Sequence, residues 1–245
     1  MNICGVLMPD DLAALGSPYV AMHYAGNEAR RHISTHRVQA VIESLKMDGG
    51  NALDVGCGSG FSSVLLARKA SSVVAVDLGA DMVRITGHIA KMNGAPVAAV
   101  IADASQPLPF PDAYFDGLIS IEMIEHIVDW RASVREMVRV VKPGGRLVIS
   151  TPGRYGLAQI IKTILVKAGL WKLGTYERFI PRRQMIRELE SLGVSINDVK
   201  HAIFTAPMLP DVVMPLVRGI EHVVEAARPL SRLCSTTIYI GELAS

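Results

Sequence analysis

The chain has 245 residues, of which 50% are hydrophobic and 20% charged, and its net charge is +2 at pH 7. These values exclude an intrinsically disordered chain, a collagen-like repeat and a small disulfide-stabilised domain. The balanced charge does not favour nucleic acid as a partner. Three scattered cysteines (Cys4, Cys57, Cys234) lack metal-binding spacing, which indicates a reducing, cytoplasmic compartment. Neither a signal region nor a run of about 18 apolar residues is visible, so we expect no membrane-spanning helix.

Up to residue 151, hydrophobic periodicity and chain breakers predict helices that alternate with short apolar strands. The predicted helices are 27–46, 61–69, 80–93 and 130–141, and the predicted strands are 52–55, 72–77, 97–103, 115–121 and 146–150. A proline-broken loop (104–113) and a Lys-Pro-Gly-Gly turn (142–145) separate the later elements. Strands of continuous Val, Ile and Leu between helices indicate an α/β fold, with a doubly wound parallel sheet covered on both faces.

After residue 151 the pattern changes to a long, mostly helical insertion. The sequence then predicts a helix over 181–192, a strand over 201–205 and an amphipathic helix over 211–228. The last segment, 236–243, alternates like a strand at the edge of a sheet. We therefore predict a single domain, 1–245, with a ligand-binding core (27–151), an amphipathic lid insertion (152–180) and C-terminal helices and edge strands (181–245).

The segment Leu-Asp-Val-Gly-Cys-Gly-Ser-Gly, residues 53–60, lies between a predicted strand and a predicted helix. Nucleotide-type ligands bind at such turns, where glycines (Gly56, Gly58, Gly60) allow close approach of the backbone. A structural tight turn is the alternative. The G-x-G-x-x-G spacing that accommodates the pyrophosphate of NAD is absent, and the carboxylate of Asp54 would repel a diphosphate and attract a cationic group.

Two acids close the next two predicted strands. Asp77 ends the second strand and can accept hydrogen bonds from both hydroxyls of a ribose. Asp103 ends the third strand and can reach an adenine amino group. Each acid alone is also compatible with a helix cap, but three polar strand ends in series favour a nucleoside site.

Over about residues 30–151, these motifs resemble those of class I S-adenosylmethionine-dependent methyltransferases, whose fold has a seven-stranded, mostly parallel, Rossmann-like sheet and a lid insertion. The resemblance implies that Asp54 and Gly56 lie near the amino-acid part of the cofactor, that Asp77 holds the ribose, and that Asp103 and Ala104 contact adenine. Met82 would pack on the adenine ring. The full set of predicted cofactor-binding residues is Asp54, Gly56, Gly58, Gly60, Asp77, Leu78, Met82, Asp103, Ala104 and Ile121.

Glu122, Glu125 and His126 follow the fourth strand and would share one face of a helix. They are candidate catalytic residues. They could bind Mg²⁺ or another divalent metal, His126 could act as a general base without metal, or the cluster could cap a helix. The E-x-x-E-H pattern is similar to the O-methyltransferases of ubiquinone biosynthesis. It is also similar to small-RNA 2′-O-methyltransferases, but His201 is poorly spaced as their further metal ligand and no basic, aromatic tract indicates RNA.

The mean hydropathy, +0.31, is high for a soluble protein. Many of the apolar residues that raise it lie in stripes on one face of each of two predicted helices. Leu157, Ile160, Ile161, Ile164, Leu165 and Ala168 fall at helical spacing, with Lys162 and Lys167 outside the stripe and Trp171 following. This helix, 157–171, is predicted either to face the core as a lid or to contact a membrane surface and admit a lipid-linked substrate. The ubiquinone enzymes have a similar insertion, although this chain has Thr175-Tyr176 where they commonly have histidine.

A second stripe, 212–224, is predicted to cover the sheet, form a homodimer or extend the lid. Arg37 is predicted to form a surface salt bridge, or to lie beside the cofactor or substrate as an arginine of the ubiquinone group does. The predicted activity is S-adenosylmethionine-dependent methyl transfer to an oxygen of a small or lipid-linked, quinone-precursor-like acceptor. Alternatives are N- or C-methylation of another metabolite, or a non-catalytic cofactor-binding module.

Overall fold

A computed structural model describes residues 2–9, 27–153, 156, 160, 163–164, 166–169, 178–207 and 209–245. Within these residues the strands are β1 (Asn2–Ile3), β2 (Val6–Leu7), β3 (Asn51–Val55), β4 (Ser72–Asp77), β5 (Val97–Ile101), β6 (Phe115–Ile121), β7 (Val141–Pro152), β8 (Val194–Ala202) and β9 (Thr236–Leu243). The helices are α1 (Glu28–Leu45), α2 (Phe61–Leu66), α3 (Ala80–Met92), α4 (Trp130–Arg139), α5 (Arg182–Ser191), α6 (Met214–Ala226) and α7 (Arg228–Ser231).

Seven strands form one sheet in the order β5-β4-β3-β6-β7-β9-β8. Strands β3 to β7 pair in parallel, and β9 pairs antiparallel with both β7 and β8. This confirms the predicted doubly wound, mostly parallel sheet. From β3 the chain adds strands on one side of the sheet (β4, β5) and then returns to add β6 and β7 on the other side. Such a switch in direction opens a crevice at the carboxyl ends of β3 and β6, where ligands bind in open α/β sheets.

The two faces of the sheet bury separate apolar cores. One core includes Val41 of α1 and Ile89 of α3, and the other includes Trp130 of α4 and Met185 of α5. Polar caps begin two of these helices: Asn27 accepts a hydrogen bond from the backbone of Arg30, and Asp129 caps α4 in the same way. Helices therefore cover both faces of the sheet, as predicted.

Four predictions for the C-terminal half are wrong in detail. The last strand, β9, lies inside the sheet between β7 and β8, and the edge strand on that side is β8, which ends at Ala202 instead of beginning at 201. Ile203 has φ +70°, which interrupts an extended backbone. The predicted turn at 142–145 lies within β7, as an irregularity in its pairing with β6. The predicted helix over 211–228 is a short 3₁₀ turn (Asp211–Val213) followed by α6 and α7.

Much of the predicted lid helix lies outside the described residues, including Leu157, Ile161, Lys162, Leu165, Trp171, Thr175 and Tyr176. Helical hydrogen bonds join Ile160 to Gly156 and Ala168 to Ile164 through their backbones. The side chains of Ile160 and Ile164 are exposed. Within the described part of the chain, no helix has the length and apolar character needed to cross a membrane.

Candidate active site

The glycine turn after β3 is built around backbone conformations that side chains disfavour. Gly56, Gly58 and Gly60 have φ of +79°, +53° and +77°. A Cβ at Gly56 would lie 2.3 Å from Cγ of Met123, and one at Gly60 would meet Thr86 at 2.7 Å. The amide of Gly56 donates to the carbonyl of Val76 on β4 at 2.8 Å. The turn is therefore packed tightly between α3 and the segment after β6.

Asp54, near the end of β3, is a buried carboxylate in which only one of the two oxygens accepts hydrogen bonds from the described residues. The hydroxyls of Ser62 and Ser63, on α2, donate to Oδ2 at 2.6 and 2.7 Å. Oδ1 is buried and has no hydrogen-bond partner among the described residues. Burial raises the pKa of Asp54 to about 6, although both hydroxyls oppose this shift. Such a carboxylate suits a cationic ligand group that can supply the missing charge.

Asp77 is held rigidly where β4 ends. Its Oδ2 accepts from the amide of Gly58 and its Oδ1 from the amide of Gly79, both at 2.9 Å. These bonds tie the glycine turn to β4. Each carboxylate oxygen can accept more than one hydrogen bond, so the side chain retains acceptor capacity toward the crevice.

Asp103 follows β5 and lies in the adjoining loop. Its carboxylate accepts from the amide of Ser105 at 2.9 Å. Hydrogen bonds from the hydroxyl and then from the amide of Ser105 lower the pKa of Asp103 below its ordinary value, so the group is an ionised acceptor at neutral pH.

A cavity of about 520 Å³ opens beside these residues. Of the predicted site residues, it is lined by Gly56, Asp77, Leu78, Asp103, Ala104 and His126. Its other lining residues, which the sequence reasoning missed, are Val76, Ala102, Ser105, Gln106, Ile127, Val128 and Asp129. Leu78 and Val128 are exposed apolar side chains, 68% and 74% accessible, at the wall of this cavity. Its volume is typical of small-ligand sites.

Some predicted cofactor residues lie outside this lining. Met82 and Ile121 pack against the apolar core on one face of the sheet. Gly58 and Gly60 shape the turn, and Asp54 lies behind it under the hydroxyls of α2. The missed wall residues could have been found from their positions, because they lie within three residues of Asp77, Asp103 or His126 along the chain.

The Glu-Glu-His cluster does not occupy one helical face, which corrects the expectation from spacing. Glu122 has φ +50° and precedes a short 3₁₀ turn, Ile124–His126, because the chain bends sharply at the end of β6. Glu125 is buried, whereas the His126 side chain is 41% exposed, and its Nε2 is 4.0 Å from Oε1 of Glu125. Among the described residues, these three do not form a group with ligand atoms close enough to share a metal.

Arg37, on α1, reaches the same region. Its Nε donates to the hydroxyl of Thr236 on β9 at 3.1 Å, and its Nη2 lies 4.0 Å from Oε2 of Glu122. Both charged side chains are largely shielded from solvent. The predicted salt bridge of Arg37 is therefore a partly buried one that links α1 to the segment after β6.

The chain is similar to known proteins in sequence and in fold. Residues 53–149 match the family described as a methyltransferase domain. The ubiquinone biosynthesis O-methyltransferase of Xylella fastidiosa is 31% identical over 169 residues, 66% of this chain and 68% of that protein. That of Xanthomonas euvesicatoria pv. vesicatoria is 29% identical over 174 residues, 69% and 72% of the two chains. An S-adenosylmethionine-dependent methyltransferase structure from Mesorhizobium loti has a TM-score of 0.61 at 18% identity, covering 83% of this chain and 96% of that one.

The sheet order, the glycine turn and these relatives together define a class I S-adenosylmethionine-dependent methyltransferase. The chain belongs to this family of enzymes, and within it is similar to the ubiquinone biosynthesis O-methyltransferases.

Proposed function

We propose that this enzyme methylates a hydroxyl oxygen of a small or lipid-linked acceptor related to quinone precursors. The observation that carries the proposal is that Asp77, Asp103 and His126 line the same cavity. This cavity thereby combines two carboxylates that could accept hydrogen bonds from a nucleoside with an imidazole that could act as a base. The names of the relatives from Xylella and Xanthomonas support an oxygen acceptor of this kind. The exposed side chains of Ile160 and Ile164 support an acceptor with a lipid tail.

The residues around the cavity fit S-adenosylmethionine. Asp77, oriented by two backbone amides, would accept from the ribose hydroxyls. Asp103 and the backbone of Ala104 would contact adenine, between the apolar side chains of Leu78 and Val128. The unpartnered buried oxygen of Asp54 suits the cationic end of the ligand. Glycine is required at position 56 of the turn, because Met123 already occupies the space that a Cβ would need.

S-adenosylmethionine supplies a methyl group already activated by a positively charged sulfur, so the protein has to align the acceptor and remove its proton. We assign proton removal to His126, which is half-exposed and lines the cavity. The buried carboxylate of Glu125, 4.0 Å from Nε2 of His126, would stabilise the imidazolium that forms. A metal held by Glu122, Glu125 and His126 is disfavoured because their ligand atoms do not converge.

Binding and turnover, measured separately, test this proposal. We expect Asp77→Asn to lower the calorimetric affinity for S-adenosylhomocysteine at least about tenfold, since hydrogen bonds to a carboxylate contribute about 1.5–3 kcal/mol. Asp81→Asn is the matched control, because Asp81 is an exposed acid of α3 that pairs with Arg84 outside the cavity. Equal affinities of both variants would contradict the ribose assignment.

His126→Gln is expected to retain S-adenosylhomocysteine binding but to lower the rate of methyl transfer to a catechol acceptor about 100-fold or more. The loss should be smallest at high pH, where the acceptor hydroxyl ionises without a base. A wild-type enzyme that binds S-adenosylhomocysteine but methylates only amines or carbon nucleophiles would contradict the oxygen acceptor.

A further inference from the structure

Four of the seven histidines gather where α1 meets α6, away from the cofactor cavity. His32 and His36 are one turn apart on α1, and their rings stack with centroids 5.3 Å apart. The ring of His222, on α6, lies edge-on to His36 at 6.5 Å. His36, His222 and His201 of β8 line a second cavity, of about 650 Å³. The proposed methyl transfer uses none of these histidines.

Two glutamates of α6, also one turn apart, face these imidazoles. Oε1 of Glu221 accepts from the amides of Phe204 and Thr205 at 2.7 and 3.1 Å, and Oε1 of Glu225 accepts from the amide of Ile203 at 2.8 Å. These bonds fix the orientation of both carboxylates. Oε2 of Glu221 then faces Nε2 of His32, and the Glu225 carboxylate faces Nε2 of His36 at 3.0 Å.

One ligand atom each from His36, Glu221 and Glu225 lies within 4.8 Å of the other two. Glu221 is only 2% exposed, so its negative charge needs a nearby positive charge. Two adjacent carboxylates can be balanced by two imidazolium protons or by one divalent cation. The convergence of an imidazole nitrogen with two carboxylate oxygens is the geometry that the second solution requires.

We propose that His36, Glu221 and Glu225 bind a divalent cation of the Zn²⁺ class. Imidazole ligation favours Zn²⁺ over Mg²⁺, which prefers oxygen ligands and keeps its water molecules. His32 would orient Glu221 through their hydrogen bond, as partners of metal ligands commonly do. Three protein ligands leave a fourth position, and the adjoining cavity has room there for water or a small ligand.

The cation would join α1 to α6 and so hold the segment Ile203, Phe204, Thr205 at the end of the edge strand. It would replace the proton shared between His36 and Glu225, so binding should release a proton. Arg37, the residue after His36, connects the same turn of α1 to Glu122 near the cofactor cavity. The proposed cation site thus lies one residue along α1 from a contact with the proposed active site.

Calorimetric titration of chelator-treated protein with ZnCl₂, and separately with MgCl₂, tests the proposal. We expect one equivalent of Zn²⁺ to bind, with proton release that varies with the ionisation enthalpy of the buffer, and Mg²⁺ to bind at least about tenfold more weakly. His36→Gln should lower the Zn²⁺ affinity at least about tenfold. His88→Gln is the matched control, because His88 is exposed on α3.

Absence of Zn²⁺ binding by the wild type, or equal affinities of His36→Gln and His88→Gln, would overturn the site. If circular dichroism shows that His36→Gln does not fold, the site is tested instead by NMR of the imidazole ring signals of the wild-type protein. Zn²⁺ must then shift the ring signals of His36 and leave those of His88 unchanged. Because these measurements need neither methyl donor nor acceptor, their failure would leave the proposed function untouched.

Discussion

At the residue scale, Asp54 is a buried carboxylate behind the glycine turn whose charge depends on the groups placed near it. Burial disfavours its ionised form and raises the pKa from 3.8 to about 6. A cationic ligand group near Oδ1 would reverse that preference. We therefore expect this one carboxylate to link the stability of the free protein to its affinity for the cofactor, with opposite dependence on pH.

We expect the affinity for S-adenosylmethionine to rise as the pH increases through about 6, because only the ionised Asp54 attracts a cation. In the free protein, the stability associated with a raised carboxyl pKa is present below 3.8 and lost as the pH rises through about 6. Calorimetry and urea denaturation between about pH 5 and pH 8 would measure both trends. Asp54→Asn retains an acceptor for the hydroxyls of Ser62 and Ser63 and should abolish both pH trends, the one in affinity and the one in stability. Parallel pH profiles of variant and wild type would show that another group is responsible.

At the element scale, Arg139 anchors the loop between β5 and β6 to α4. Its guanidinium donates to the carbonyls of Leu108 and Phe110 at 3.0 and 2.9 Å and to the carboxylate of Asp112 at 2.6 Å. Glu136, one turn earlier on α4, pairs with Arg139 and also accepts from the amide of Leu108 at 2.9 Å. The same loop begins with the cavity wall at Asp103, so this network anchors the loop that carries that wall.

Arg139→Lys is expected to lower the free energy of unfolding by about 1–3 kcal/mol, because an ammonium group cannot reach all these acceptors at once. It should also weaken S-adenosylhomocysteine binding, since the loop carries Asp103. Arg135→Lys is the control: Arg135 is an exposed residue of α4 that contacts Glu188 at 3.4 Å, and its replacement should change stability by less than about 0.5 kcal/mol. Urea denaturation compares them, and similar losses for both variants would contradict the anchoring role.

At the scale of the whole molecule, exposed apolar side chains lie on two separate helical segments. Ile160 and Ile164 belong to the insertion after β7, and Val212, Leu216 and Val223 lie on or beside α6. An apolar face in the insertion is consistent with delivery of a lipid-linked acceptor from a membrane surface. The exposed side chains of α6 are also aliphatic, so substitutions on the two segments can be compared for their effect on membrane binding.

We expect the protein to sediment with anionic phospholipid vesicles at low salt. Ile164→Glu should lower the partition coefficient at least about tenfold, because it replaces apolar burial of about 1.5–3 kcal/mol with a buried charge. Leu216→Glu is the matched control, since Leu216 is also an exposed aliphatic residue, 68% accessible against 59% for Ile164. If the wild type stays in the supernatant, or if both variants lose binding equally, the insertion is not the membrane contact.

The sequence alone determined the parallel half of the fold and the order of the cofactor motifs. Ser72–Asp77 and Phe115–Ile121 were predicted with the bounds they have, because continuous apolar runs bounded by breakers are local signals. The strand-end position of Asp77 and the glycine turn at 56–60 followed from the same pattern, whereas the third strand ends at Ile101, two residues before Asp103.

Only the tertiary structure decided that β9 lies inside the sheet and that the backbone at Glu122 is not helical. It also decided that α1 and α6 pack together and bring His32 within hydrogen-bonding distance of Glu221, 189 residues away along the chain. Strand bounds and turns depend on preferences that act over a few neighbouring residues. Strand order and contacts between distant helices depend on which surfaces the whole chain buries together, and that energy is not contained in any short segment.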